Sequence, residues 1–192
     1  MKVLGIVGSF RSGGNTEITV REALERAKEK GAETDIILLK DYQINPCRGC
    51  GACKDGECIQ KDNMKKLIPK ITSADAIIIG SPVYYGGITG GLKCLLDRFR
   101  PLKLNGDQLK NKIGGIIVVG NRWGHTNVME TINHFFCAQG MLSVPIFTHP
   151  GMGAQIIASQ IGDAAKNEDN LVVSRMVGER VVEIFEAMNK NE

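Results

Sequence analysis

Five short runs of aliphatic and β-branched residues recur along the chain, separated by stretches whose apolar residues repeat at helical spacing, and this alternation is the strongest constraint on the fold. The runs lie at Lys2 to Val7, Thr34 to Leu39, Ala76 to Gly80, Gly114 to Val119 and Leu142 to Phe147. Strand-length apolar runs alternating with helices predict parallel strands joined by crossover helices. Val20, Ala23, Leu24 and Ala27 make the first helical face, which stops at Lys30-Gly31 as glycine just past a basic last turn dictates. Further helices are expected over Asp62 to Thr72, Gly90 to Phe99, Thr126 to Gln139 and Val172 to Asn189, the last carrying an apolar core stripe. The expected architecture is α/β, a doubly wound five-stranded parallel sheet of order 2-1-3-4-5, with its ligand beyond the carboxyl ends of the strands.

With 192 residues, 43% hydrophobic and 23% charged, the chain can bury one core and reads as a single domain over 1–192. Two stretches interrupt the alternation: an inserted loop at 41–61 and the Gly/Ala-rich 149–167. A net charge of +3 gives no support to nucleic-acid binding. No apolar stretch approaches the roughly 18 residues of a membrane span, and Met1 to Gly8 reads as a buried strand, not an export signal. A reducing cytoplasm is the expected location.

After the first strand the chain runs Gly8-Ser9-Phe10-Arg11-Ser12-Gly13-Gly14-Asn15-Thr16 into a helix. Helix N-termini offer N–H groups and the positive dipole end to phosphate. The loop matches neither G-x-x-x-x-G-K-[ST] nor G-x-G-x-x-G, and the second strand lacks a suitably spaced acid for a ribose, since Asp35 opens it and Asp41 lies past it. Ser9, Ser12, Asn15 and Thr16 with the Arg11 guanidinium suit a terminal phosphomonoester, the group that ends FMN. An ordinary Ser/Gly loop with an N-cap is the alternative. The third strand ends in Ser81-Pro82-Val83-Tyr84-Tyr85-Gly86-Gly87, where aromatic rings beside a glycine-permitted backbone suit a planar isoalloxazine, with half-buried packing as the alternative. The two loops flank one crevice in a sheet of this order.

Four of the six cysteines, Cys47, Cys50, Cys53 and Cys58, follow C-x2-C-x2-C-x4-C, with Gly49, Gly51, Ala52 and Gly56 between them. In a reducing compartment such crowding points to metal or redox chemistry. Thiolates in a short loop with small residues between them suit a [4Fe–4S] cluster, and the last gap lets all four serve one cluster. Zinc, or a bare or oxidised cysteine loop, are the alternatives. Cys94 and Cys137 read as buried core thiols, and His125, His134 and His149 are too scattered for a metal site.

The Gly-Ser-x-Arg-Ser loop, the cysteine segment, Ser81-Pro82-Val83-Tyr84, and Leu92-Lys93 through Asp97-Arg98 resemble the NAD(P)H-dependent FMN reductase branch of flavodoxin-like proteins. The four cysteines most resemble the archaeal-type iron–sulfur flavoproteins. The resemblance spans most of residues 1 to 147. It implies FMN held by the first loop, by Pro82, Val83, Tyr84, Tyr85 and Gly86, and by a third loop containing Asn121, Arg122 and Trp123. Relatives continue that loop Gly-Gly-Gln-Glu, where this chain has Gly124-His125-Thr126-Asn127. It further implies a one-/two-electron converter fed by ferredoxin or NAD(P)H, a small-molecule acceptor, no catalytic side chain, and a homodimer or homotetramer. Lys93, Arg98, Arg100, Lys103, Lys110 and Lys112 against Asp97 and Asp107 leave a local charge of six minus two, +4, which could steer an acidic ferredoxin. A cluster-free NAD(P)H-dependent FMN or quinone reductase, and a flavodoxin-like carrier or redox sensor, are the rival functions.

Overall fold

A computed structural model describes residues 1–147 and 151–190, so His149 lies outside the described residues. Four strands form where the aliphatic runs predict them: β1 Lys2–Val7, β2 Glu33–Leu38, β3 Ala76–Pro82 and β4 Ile113–Gly120. They pair in parallel in the order β2-β1-β3-β4, and β5 (Leu142–Ser143) continues the sheet beyond β4.

The fifth position departs from expectation. The predicted strand Leu142 to Phe147 pairs over only Leu142–Ser143, at the start of β4. Val144 still donates to Gly114 O at 2.9 Å, but Pro145 follows and has no N–H to extend the ladder. The far half of β4 is taken instead by β6 (Ala154–Ile157), in register Ile117↔Ala154 to Gly120↔Ile157. The Gly/Ala-rich stretch that interrupts the alternation in sequence thus contains the strand that completes the sheet.

Helices cover both faces: α1 (Asn15–Glu29) and α7 (Glu168–Asn189) on one, α2 (Met64–Ser73), α3 (Gly90–Asp97) and α5 (His125–Ala138) on the other. Short α4 (Arg100–Leu104) and α6 (Asp163–Lys166) complete the set among the described residues. The helix predicted through Phe99 stops two residues earlier, and Pro101 opens α4. The helix expected from Val172 begins at Glu168, where the Asn167 side chain accepts from Asp169 N. Alternate strand residues serve opposite layers: Leu4, Ile6, Ile77 and Ile79 face one core, Val3, Val7 and Ile78 the other, as a period of two requires. Helices α1 and α7 approach so closely that a Cβ at Gly178 would fall on the Ala23 carbonyl. The register pairs Val7 with Gly80, Pro82 with Val119 and Gly120 with Ile157, so the loops after β1, β3, β4 and β6 emerge together at one edge.

Candidate functional site

The loop after β1 is held by its neighbours: Gly8 N donates to Gly80 O at 2.8 Å and Thr89 Oγ1 donates to Gly8 O at 2.7 Å. Its α1 end has Gly14 at the N-cap and no side-chain cap, so the helix presents uncapped N–H groups and its positive end to the edge of the sheet. Ser9, Arg11, Asn15 and Thr16 line one cavity of about 190 Å³ there. Ser12 does not: its hydroxyl accepts from Lys40 Nζ at 3.0 Å. Glu17, just beneath, accepts from Gly13 N and Arg21 Nε at 3.1 and 3.0 Å. Burial pushes its carboxyl up, but bonds from Arg21 and Gly13, with the charges of Arg21 and Lys40, more than offset this and hold it below its ordinary value.

Asn15 plays a different part from the one its amide suggests. Its Nδ2 donates to Gln160 O at 2.7 Å, and its Oδ1 accepts from Gly162 N and Ala164 N at 3.0 and 3.1 Å. The side chain is therefore a clip that pins the segment after β6 over the loop, leaving its backbone N–H for a ligand. Ala158 and Ser159 of that segment line the same cavity, and Arg11 NH1 reaches Ser159 O at 3.5 Å. Neither wall residue carries a sequence signal, because nothing local links position 159 to position 11.

At the end of β3, Tyr84 N donates to Gly87 O and Gly87 N to Tyr84 O, at 2.9 and 3.0 Å. Tyr85 and Gly86 between them have φ of 50° and 76°, the left-handed pair of a two-residue type I′ turn. Glycine takes this freely, whereas tyrosine pays roughly 1–2 kcal/mol in such a conformation, and the Tyr85 ring stands wholly in solvent. Tyr84 and Trp123 are 51% and 64% exposed. A Cβ at Gly86 would lie 2.7 Å from the Trp123 ring, and one at Gly124 would lie 2.8 Å from Gly86 Cα. The two loops therefore interlock, and Val83 to Gly86 with Asn121, Arg122 and Trp123 enclose a second cavity of about 600 Å³. Val83, Tyr84 and Asn121 line both cavities, which form one groove running from the α1 N-terminus to exposed aromatic rings. Its size is that of a small-molecule site, with Ser9, Arg11 and Thr16 making one end polar and Tyr84 and Trp123 making the other aromatic. His125, in the segment that departs from Gly-Gly-Gln-Glu, is buried under Gly120 with Nε2 3.1 Å from Ile156 O, a pin between α5 and β6.

The cysteine loop is braced at its ends and loose at its thiols. Asp62 Oδ2 accepts from Arg98 NH1 at 2.6 Å and Asn45 N at 2.9 Å, its Oδ1 from Arg98 NH2 at 3.1 Å and Met64 N at 3.0 Å, and Arg98 NH1 also donates to Asn45 O. Both side chains of this pair are buried, at 2% and 1% exposure. Gln60 donates to Pro46 O, and Asn105 to Gly56 O and Cys53 O. Between these ties Gly49, Gly51 and Gly56 take φ of 64°, 79° and 143°, Cys53 is buried in a short 3-10 turn at Ala52–Asp55, and Cys47 and Cys50 are exposed. Gly49 N donates to Cys47 Sγ at 3.5 Å. Among the described residues no three His, Cys, Asp or Glu side chains converge on a metal-sized point. The chemistry of the donor set nevertheless fits a soft metal centre: four thiols in twelve residues, with small residues between them. Cys94 is half-buried and Cys137 exposed, so neither is the core thiol its apolar surroundings in sequence suggest. The basic stretch carries less free charge than its count, because Arg98 is paired with Asp62 inside, and Lys112 is tied down by Thr72 O and Ala74 O.

A parallel sheet in this order, with an uncapped helix end and an aromatic-edged groove at its carboxyl edge, defines a flavodoxin-like fold. A WrbA-like flavodoxin from Agrobacterium tumefaciens shares it, with a TM-score of 0.67 at 17% identity over 95% of each chain. Residues 1–149 match the family model for NADPH-dependent FMN reductase, and the chain belongs to that family. It is a flavin-dependent oxidoreductase that uses FMN. An iron-sulfur flavoprotein of Methanocaldococcus jannaschii is 40% identical over 99% of this chain and 100% of its own length. Another, of Archaeoglobus fulgidus, is 33% identical over 97% and 96%. No helix of the described residues is long and apolar enough to cross a membrane.

Proposed function

We propose that this chain is an iron–sulfur flavoprotein oxidoreductase, holding FMN in the groove and a [4Fe–4S] cluster on Cys47, Cys50, Cys53 and Cys58. The observation that carries this reading is the set of four thiols on a loop whose two ends are locked by a buried ion pair, in a chain with end-to-end similarity to iron-sulfur flavoproteins. Together the two groups supply conversion between single-electron and paired-electron transfer. The protein's part is to bind and orient. Ser9, Thr16 and the free N–H groups of α1 would hold the phosphate, with Arg11 closing over it; Pro82 to Gly86 and Asn121 to Trp123 would edge the ring. The backbone donors of the Tyr84–Gly87 turn would favour added negative charge on the ring. NAD(P)H or ferredoxin is the donor in this reading and a small molecule the acceptor, in a reducing cytoplasm. A homodimer or homotetramer would cover the exposed Tyr85 and Trp123 rings.

Iron, acid-labile sulfide and flavin measured on anaerobically purified protein test the reading. About four irons and four sulfides per FMN are expected for one cubane, and FMN with neither would refute it. The second reading, a cluster-free NAD(P)H-dependent FMN or quinone reductase, is favoured by the separation of the thiols among the described residues, and that outcome would establish it.

A further inference from the structure

The phosphate end of the groove is closed by the segment that follows β6. Ala158 and Ser159 line the cavity with Ser9, Arg11, Asn15 and Thr16, and Arg11 NH1 comes within 3.5 Å of Ser159 O, where the two rims meet. The segment is fixed along its length. Ala158 N donates to Gly120 O at 3.0 Å at the end of β6. Asp163 Oδ2 accepts from Ser159 N and Gln160 N at 3.3 and 2.6 Å, which folds the turn back on itself. Asn15, 8% exposed, supplies the tie to the first loop. Its amide bonds to Gln160 O, Gly162 N and Ala164 N, and both of its polar atoms are thereby occupied.

We infer that Asn15, acting through this segment, sets the flavin specificity of the groove: it admits a flavin that ends in a phosphomonoester and rejects one whose phosphate continues into a second phosphate and an adenosine, as in FAD. The inference rests on the placement of FMN in the groove proposed above. A monoester ends at the α1 N-terminus, so Ala158 to Gly162 can stay across the end of the cavity. A dinucleotide flavin carries a bridging oxygen on that same phosphate, and the chain beyond it has to pass where Arg11 and Ser159 meet. It can therefore bind only after the segment lifts. Each hydrogen bond contributes a factor of about two to ten, so the three made by Asn15 disfavour the lifted state by on the order of 100-fold. A ligand that needs a minor state loses affinity in proportion to that state's population. The Asn15 side chain is thus a positioning residue, working through the segment rather than on the reacting atoms.

The test equilibrates the full-length, FMN-loaded protein with equal concentrations of free FMN and FAD, then separates and quantifies the bound flavins. Wild type is expected to prefer FMN by about 100-fold. Asn15→Ala, which deletes all three ties and keeps the backbone N–H, should narrow that ratio by about tenfold or more. Asp163→Ala should narrow it in the same direction, because Asp163 lies outside the cavity lining and holds the turn; it decides alone should Asn15→Ala not fold. General destabilisation would weaken both flavins together and leave their ratio unmoved. Wild type that takes FAD as readily as FMN, or folded variants that keep the wild-type ratio, would overturn the inference. Riboflavin, which lacks the phosphate, separates this from the reading beneath it: wild type that binds riboflavin as tightly as FMN would sink the placement of the phosphate at the α1 N-terminus.

Discussion

Replacing Asp62 by Ala strikes the point where the cysteine loop is anchored. The variant leaves the Arg98 guanidinium, 2% exposed, without its counter-ion, and it strips acceptors from Asn45 N and Met64 N. Removing one member of a buried ion pair costs about 3–5 kcal/mol, which for a chain of this length corresponds to a melting temperature lower by roughly 6–20 °C. Because Asp62 joins residues 45, 62 and 98, the loss should fall on the loop first. Cys53, now buried, should become alkylated several-fold faster than in the wild type at temperatures well below global melting. Burial pushes the Asp62 carboxyl up, but bonds from Arg98, Asn45 and Met64, with the Arg98 charge, hold it below the usual carboxylate range. Its stabilisation is therefore complete above the ordinary aspartate pKa of about 3.9 and is lost only as pH falls through the lowered folded value. Scanning calorimetry from pH 3 to 8 with timed Cys53 alkylation would test this. A melting shift under about 1 kcal/mol equivalent with Cys53 still protected would refute the role of the pair as the anchor.

Five further variants probe the groove and the core. Thr16→Ala and Ser9→Ala should each weaken FMN binding by about 1.5–3 kcal/mol, or roughly 10–150-fold in Kd. Ser12→Ala should change it less than about twofold, since a hydroxyl already engaged by Lys40 contributes little to a ligand elsewhere; flavin fluorescence quenching reads both, and equal losses would place Ser12 in the site. Gly86→Ala combines a left-handed φ of 76° with a Cβ 2.7 Å from the Trp123 ring, and should weaken FMN by about tenfold for roughly 1–2 kcal/mol of strain relieved only in the free protein. Wild-type affinity there would remove the turn from the binding site. Gly178→Ala drives a methyl into the Ala23 carbonyl between α1 and α7, and a urea midpoint lowered by the equivalent of about 1–3 kcal/mol is expected.

What the sequence determined by itself is local. The strands β1 to β4 lie within two residues of their aliphatic runs, because alternating burial is written into neighbouring side chains. The sheet order and the four-cysteine loop follow from the same kind of reading, and so does the convergence of the loops after β1 and β3. Tertiary structure decided everything that depends on a partner far along the chain. Pro145 ends β5 after two residues, and β6, hidden in a Gly/Ala-rich stretch, fills the vacated edge. Asn15 is bound to residues 160–164, Ser12 to Lys40, and Arg98 to Asp62 thirty-six positions away. Each of these side chains has several chemically equivalent partners in the sequence. Only packing selects one, because a buried polar group must find an acceptor within about 3 Å, and which groups come that close is settled by how the layers fold over the sheet.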